Sequence, residues 1–214
     1  MMMKSLASLT ASTIALSGAA FAEDIRNFDL AAFDKIEIAS GVTAQITVGG
    51  EQSVRVETNK GDYDDLVIKV KGGVLEIRQD WKKGWRISSK KPRYKLIATV
   101  ADLNSVDASS GSNLSATGIS AGDFSVEVSS GASVKLGGTC DQIDAKGSSG
   151  AGASAKNLVC NNADARASSG ASLVLHADTG VEAKASSGGT ITVYGGAQKV
   201  STRKSSGGSV RIRD

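Results

Sequence analysis

Apolar and polar residues alternate with a period of two along the first part of the chain, the pattern of strands with one buried face. The alternation runs through Phe33-Asp34-Lys35-Ile36-Glu37-Ile38, Val42 to Val48, Val54-Arg55-Val56-Glu57, Leu66 to Val70, Val74 to Arg78 and Tyr94 to Val100. Gly49-Gly50, Lys60-Gly61-Asp62 and Gly72-Gly73 punctuate it as turns. No stretch holds a helical period, so residues 23–100 read as the longer, less regular strands of the protein.

From Ala101 the pattern becomes a repeat. Ser-Ser-Gly occurs six times, at 109–111, 129–131, 148–150, 168–170, 186–188 and 205–207, with spacings of 20, 19, 20, 18 and 19 residues. Three and five residues after each Gly stand Leu114 and Ala116, Val134 and Leu136, Ala153 and Ala155, Leu173 and Leu175, Ile191 and Val193, Val210 and Ile212. A second strand precedes each triplet. Its inward columns are Val106, Val126, Ala145, Ala165, Ala183, Thr202 and Phe124, Ile143, Ala163, Val181, Val200. Its outward column is Asp107, Glu127, Lys146, Arg166, Lys184, Arg203. On that face Asp144, Asp164 and Glu182 each stand two residues before a base, which offsets the stacking of like charges.

Two strands and short corners in each unit make one coil that cannot bury its own apolar face, so neighbouring coils must cover it. The expectation is an all-β single domain, a parallel β-helix (solenoid) with coils of ~19–20 residues, right-handed because parallel crossovers are. Residues 101–214 would supply six coils. In the triplet, Gly takes a positive φ at the corner, one Ser points in and one out, and stacked hydroxyls bond from rung to rung or to corner backbone groups. A ligand-binding serine strip is the rival reading. It is ranked below the corner because the neighbouring sequence offers no aromatic or charged anchor.

Composition agrees. Gly is 25 of 214 residues and aromatics are 4%, too few large side chains for an ordinary core but suited to thin stacked layers. Residues 1–22 have a basic start at Lys4, an apolar run and a small-x-small ending at Ala20-Phe21-Ala22. They read as a signal peptide cut after Ala22, which places residues 23–214 outside the cytoplasm: periplasm, cell surface or extracellular. No later stretch is apolar enough for a transmembrane helix. The formal charge of +3 gives no reason to expect a nucleic-acid partner.

Cys140 and Cys160 occupy the same position in successive coils, where strands ~4.8 Å apart permit either a disulfide or a buried pair of thiols. His176 is the only histidine and is expected to be a solvated or satisfied side chain. No catalytic residue, metal site or cofactor is expected. A polysaccharide-cleaving site would draw on Asp144, Asp164, Arg166 and Lys184, but short corners leave no cleft for it.

One stretch breaks the rhythm. Residues 81–95 hold both tryptophans, the single proline and seven positive charges. It reads as a hairpin or loop projecting between two strands. Trp81, Lys82, Lys83, Trp85, Arg86, Lys90, Lys91, Arg93 and Tyr94 are the candidate ligand contacts, because cations interleaved with aromatic rings suit anionic sugars and lipid head groups. The alternative is a solvated hairpin whose charges protect a sheet edge.

The opening Phe33-Asp34-x-Ile36-x-Ile38 with Gly41-Val42, the strand Gly72-Gly73-x-Leu75-x-Ile77, and the strand Leu96 to Leu103 leading into Ser-x-Gly coils together resemble the putative auto-transporter adhesin head domain, the GIN domain. The resemblance runs from about residue 30 to the end. It implies a right-handed parallel β-helix at the cell envelope. The functional expectation is an exported adhesin-like or envelope-interaction module without catalysis, with an anionic glycan, lipopolysaccharide or another envelope component as partner. A periplasmic structural or regulatory protein and a polysaccharide-active β-helix enzyme are the alternatives. The oligomeric state is open.

Overall fold

The computed structural model describes residues 24–59, 63–80 and 92–213, and those residues form strands and turns without a helix. Four long strands carry the solenoid: β9 (Asn113–Val128), β10 (Ser133–Gly147), β11 (Gly152–Ala167) and β12 (Ser172–Ala185). Each leaves a corner, bends, and runs on to the next corner, so each contributes to two successive rungs. They stack in parallel and in register, as in Val134↔Ala153 and Ala145↔Ala165. The shorter β13 (Thr190–Tyr194), β14 (Lys199–Lys204) and β15 (Ser209–Arg213) complete the stack. Residues 105–213 thus make about five turns.

The expectation of longer strands before residue 100 is reversed. Strands there have 4 to 7 residues, whereas β9 to β12 have 14 to 16. A coil can turn at a bulge without leaving its ladder, and register shifts occur at Leu136/Gly138 and Lys135/Gly137.

Stacking order also departs from chain order. β2 (Lys35–Ile38) lies between β6 (Val74–Gln79) and β8 (Ser105–Ala108), parallel to both. β3 (Thr43–Val48) lies between β7 (Tyr94–Val100) and β9 in the same way. The first rung of the sequence is therefore the second rung of the stack, and β6 with β7 forms the outermost one. Three antiparallel strands close that end: β4 (Ser53–Thr58) on β7, β1 (Asp24–Asn27) on β4, and β5 (Leu66–Lys71) on β6. The outer strands β1 and β5 carry Asp24, Arg26, Lys69 and Lys71, charges that discourage further pairing.

At every Ser-Ser-Gly the second serine and the glycine both take left-handed φ, 46–53° and 70–77° respectively. Ala39-Ser40-Gly41 does the same, with φ of 59° and 75°, and is a seventh corner. Each glycine N–H donates to the serine carbonyl of the next rung: Gly41 to Ser110, Gly111 to Ser130, Gly131 to Ser149, Gly150 to Ser169, Gly170 to Ser187 and Gly188 to Ser206, at 3.0–3.2 Å. The corner ladder is therefore made of backbone, not of the expected hydroxyls. Neither serine is buried: the first is half-buried on the outer face (exposed at Ser205) and the second is exposed.

The inward columns are buried as the alternation predicts, from Val106 to Ala183 and from Leu114 to Val210. The terminal rung is the exception. Val200 is 45% exposed and Thr202 is exposed, because only one neighbouring rung covers β14. Mid-stack the core thins to Ala145, Ala153, Ala155, Ala163 and Ala165, which bury little apolar area each. There Cys140 and Cys160 stand in register, Cα atoms 4.5 Å apart, and form a disulfide. It closes a loop of 20 residues where packing is thinnest. Replacing both cysteines with alanine is expected to cost about 3 kcal/mol. Denaturant unfolding of the double variant against the oxidised protein measures it, and a midpoint that does not move would contradict the expectation.

Candidate functional site

The basic stretch occupies a defined place in the topology. Its flanking strands β6 and β7 do not pair with each other but stack on β2 and β3. In chain order it stands where Ser-Ser-Gly stands in other rungs. Trp81, Lys82, Lys83, Trp85, Arg86, Lys90 and Lys91 lie outside the described residues. Arg93 is exposed, and its backbone N–H donates to Asn59 Oδ1 at 2.9 Å. Tyr94 is a correction: at 2% exposed it belongs to the core, against Tyr63 with ring centroids 6.1 Å apart. It starts strand β7 on the inward phase of the alternation, which takes its ring away from any ligand on the surface.

The structure brings together a second set of groups, legible in the sequence as outward columns, of which Arg166 and Lys184 also belong to the polysaccharide-cleaving alternative. On the outer face of the strands before each corner, parallel register stacks Lys146, Arg166, Lys184 and Arg203 one rung apart. Two residues on, and on the same face, stand the first serines of the triplets, Ser148, Ser168, Ser186 and Ser205. Between and beside these rows runs a groove of about 560 Å³, with Val128, Ala167 and Ala185 in its lining. None of these four serine hydroxyls has a hydrogen-bond partner among the described residues. Charged anchors therefore do stand beside the serine strip, supplied by strand alternation across different rungs.

Part of the positive charge is compensated. Arg166 donates to Asp164 at 2.9 Å and Lys184 pairs with Glu182, which holds the Glu182 carboxyl below the usual range. Lys146 and Arg203 make no ion pair with the described residues.

The same column continues in the other direction with the opposite sign. Lys146 is in register with Glu127, Glu127 with Asp107, Asp107 with Glu37, and Glu37 with Glu76. Glu76 is satisfied by Lys69 at 2.8 Å and Arg78 at 2.9 Å, and its carboxyl is held below the usual range. Asp107 has no such partner among the described residues. Loss of water around its carboxyl, then Glu127 and Glu37, raise its pKa above the ordinary value. A raised carboxylate pKa means that the folded protein holds a proton the unfolded chain has released. Stability therefore falls as pH rises from the ordinary Asp value through the raised one. Asp107→Asn is expected to stabilise the protein at pH 7 by roughly 0.5 kcal/mol, the scale of a like-charge cross-strand pair, and to have no effect near pH 3. Denaturation midpoints of the two proteins across that range test the sign.

His176 is paired to Asp178, Nε2 to Oδ1 at 2.9 Å, on the outer side of β12. Among the described residues no three His, Cys, Asp or Glu side chains are grouped to hold a metal ion, and no helix is long and apolar enough to cross a membrane.

Comparison with solved structures gives the fold independently. The chain is similar to a putative adhesin from Bacteroides fragilis at 16% identity and TM-score 0.69, over 90% of this chain and 97% of that one. It is also similar to putative adhesins from Parabacteroides merdae, at 13% identity, TM-score 0.50 and coverage of 89% and 95%, and from Parabacteroides distasonis, at 16% identity, TM-score 0.50 and coverage of 89% and 96%. A search of curated proteins finds no match. Residues 32–197, which span both the interleaved first rungs and the corner repeats, match the model of the "Putative auto-transporter adhesin, head GIN domain" family, and the chain belongs to that family.

Proposed function

We propose that this chain is an exported, non-catalytic, adhesin-like module that acts at the cell envelope by holding an acidic glycan in the groove beside the corners. The observation that carries the reading is the pairing of two rows in that groove: cations Lys146, Arg166, Lys184 and Arg203, and the hydroxyls of Ser148, Ser168, Ser186 and Ser205, which have no partner among the described residues. Cations meet carboxylate or sulfate groups of a polymer, and hydroxyls donate to or accept from its sugar hydroxyls. A repeat every ~4.8 Å suits an extended chain rather than a compact small molecule. Family membership and the adhesin neighbours support the adhesin-like part, and the leader-like residues 1–22 support export. The absence of catalysis is supported by Asp164 and Glu182, each tied to the base two residues on rather than free to act as a general base. The basic stretch 81–95 is a second contact in this proposal, on the strength of its sequence alone.

Binding of dilute protein to immobilised polygalacturonate, with neutral dextran as control, is the test. The polyanion should retain the protein in a salt-sensitive manner. Replacing Lys146, Arg166, Lys184 and Arg203 with Ser should weaken retention roughly tenfold or more, since four exposed contacts contribute a few tenths to 1 kcal/mol each. Replacing Lys82, Lys83, Lys90 and Lys91 with Ser measures the second contact. Equal retention by dextran, or an unaffected groove variant, would reject the reading.

A further inference from the structure

The outward column before the corners sorts its charges by sign along the whole stack. In register order it reads Glu76, Glu37, Asp107, Glu127, then Lys146, Arg166, Lys184, Arg203. Four acids are followed by four bases, with the change of sign at the midpoint. Stacking like charges one rung apart is unfavourable, and Asp107 has no compensating ion pair among the described residues. Glu37, Glu127, Lys146 and Arg203 likewise make no ion pair with any described residue.

We propose that this face docks a second copy of the chain, related by a twofold axis that runs along the strands and passes between rungs four and five. Such an axis reverses the rung order and keeps each column facing itself. Glu76 then meets Arg203 of the second copy, Glu37 meets Lys184, Asp107 meets Arg166, and Glu127 meets Lys146, each pair occurring twice. The neighbouring outward column, Val74, Lys35, Ser105, Ser125, Asp144, Asp164, Glu182, Ser201, obeys the same operation: Lys35 meets Glu182, and no acid meets an acid. A slip of one rung sets Glu127 against its own copy, and a parallel arrangement sets every charge against its like, so orientation and register are both specified. The contact is isologous, the kind a closed dimer uses.

Eight rungs give a face roughly 35 Å long, and strands of four to six residues make it roughly 15–20 Å wide. It would bury about 1,000–1,300 Å² in total, the lower end of specific interfaces. With charges rather than apolar anchors at its centre, the dimer is weak and sensitive to salt. Its basic half is the groove described above, so a second copy and a polyanion exclude each other there.

Sedimentation velocity on the mature chain is the test, with circular dichroism melts to show that each variant is folded. At about 50 mM salt the protein should dimerise at tens to hundreds of micromolar, and raising salt to about 500 mM should weaken the association at least tenfold. Glu37→Lys with Asp107→Lys should be monomeric, as should Arg166→Glu with Lys184→Glu. An equimolar mixture of these two double variants restores every pair and should form a heterodimer, and the four substitutions in one chain should restore the homodimer. A monomeric parent protein at low salt, a dimer indifferent to either double variant, or a mixture that stays monomeric would each overturn the proposal. Retention on polygalacturonate is read separately on dilute monomer, so either reading can fail while the other stands.

Discussion

Phe124→Ala should lower the melting temperature by roughly 10 °C, the loss of about 3–5 kcal/mol that follows removal of a buried Phe from a close-packed core. Phe124 is 1% exposed and is the largest fully buried side chain among the described residues. Its register partner in the next rung is Ile143, and the column continues through Ala163 and Val181. A rung held by ladder hydrogen bonds to its neighbours relaxes only partly into such a space, so a cavity term adds to the lost burial. Phe124→Leu should recover more than half of the loss. Thermal melts by circular dichroism decide the matter, and an alanine variant that melts within 2 °C of the parent protein would show that the site relaxes freely.

Gly138→Ala should be as damaging, through backbone rather than side-chain space. Gly138 sits at the bulge that follows Leu136, at φ 140°, facing Ile119 in the rung beside it. A Cβ on Gly138 would stand 2.0 Å from the Ile119 carbonyl oxygen and 2.6 Å from its nitrogen. No flexible side chain can yield there, so the two rungs would have to part and lose ladder hydrogen bonds. The expected cost is about 4 kcal/mol or more, in the range reserved for steric disruption of the backbone. Gly122→Ala is the control, because a Cβ there meets nothing within 4 Å, and it should fall within about 0.5 kcal/mol of the parent protein. Equal stability of the two variants would mean that the rung spacing at Gly138 is softer than its contacts imply.

Both positions bear on function through register. The groove and the sign-sorted column exist only while successive rungs stay aligned, since one residue of slip on a strand sends its charges to the inner face. Phe124 and Gly138 hold the rungs where the column changes sign, between Glu127 and Lys146. Damage there should therefore weaken retention on a polyanion even though neither residue touches the groove.

The period was legible because it is local. Each Ser-Ser-Gly is followed at fixed offsets by its own apolar pair, so Leu114, Val134 and Leu173 announce their inward phase without reference to anything distant. The disulfide partners were legible for the same reason: Cys140 and Cys160 are one period apart, and register does the rest. The seventh corner was not, because Ala39-Ser40-Gly41 lacks the first serine and what it shares with the others is a pair of positive φ angles. Tyr94 was misplaced because it sits among basic residues in the chain, whereas its strand phase turns it inward onto Tyr63.

The amino-acid sequence by itself determined the coil: its length, its two strands, its corners, its inward and outward columns, and the family to which it belongs. These depend on alternation and turn chemistry within some twenty residues. Only the tertiary structure decided how the coils are ordered. Strand pairing is made by backbone groups that are the same in every residue, so nothing in Lys35–Ile38 states that it will lie between Val74–Gln79 and Ser105–Ala108. That interleaving puts Glu76 and Glu37 at the head of the column, and it turns a run of charges scattered over the chain into an acidic half and a basic half on one face.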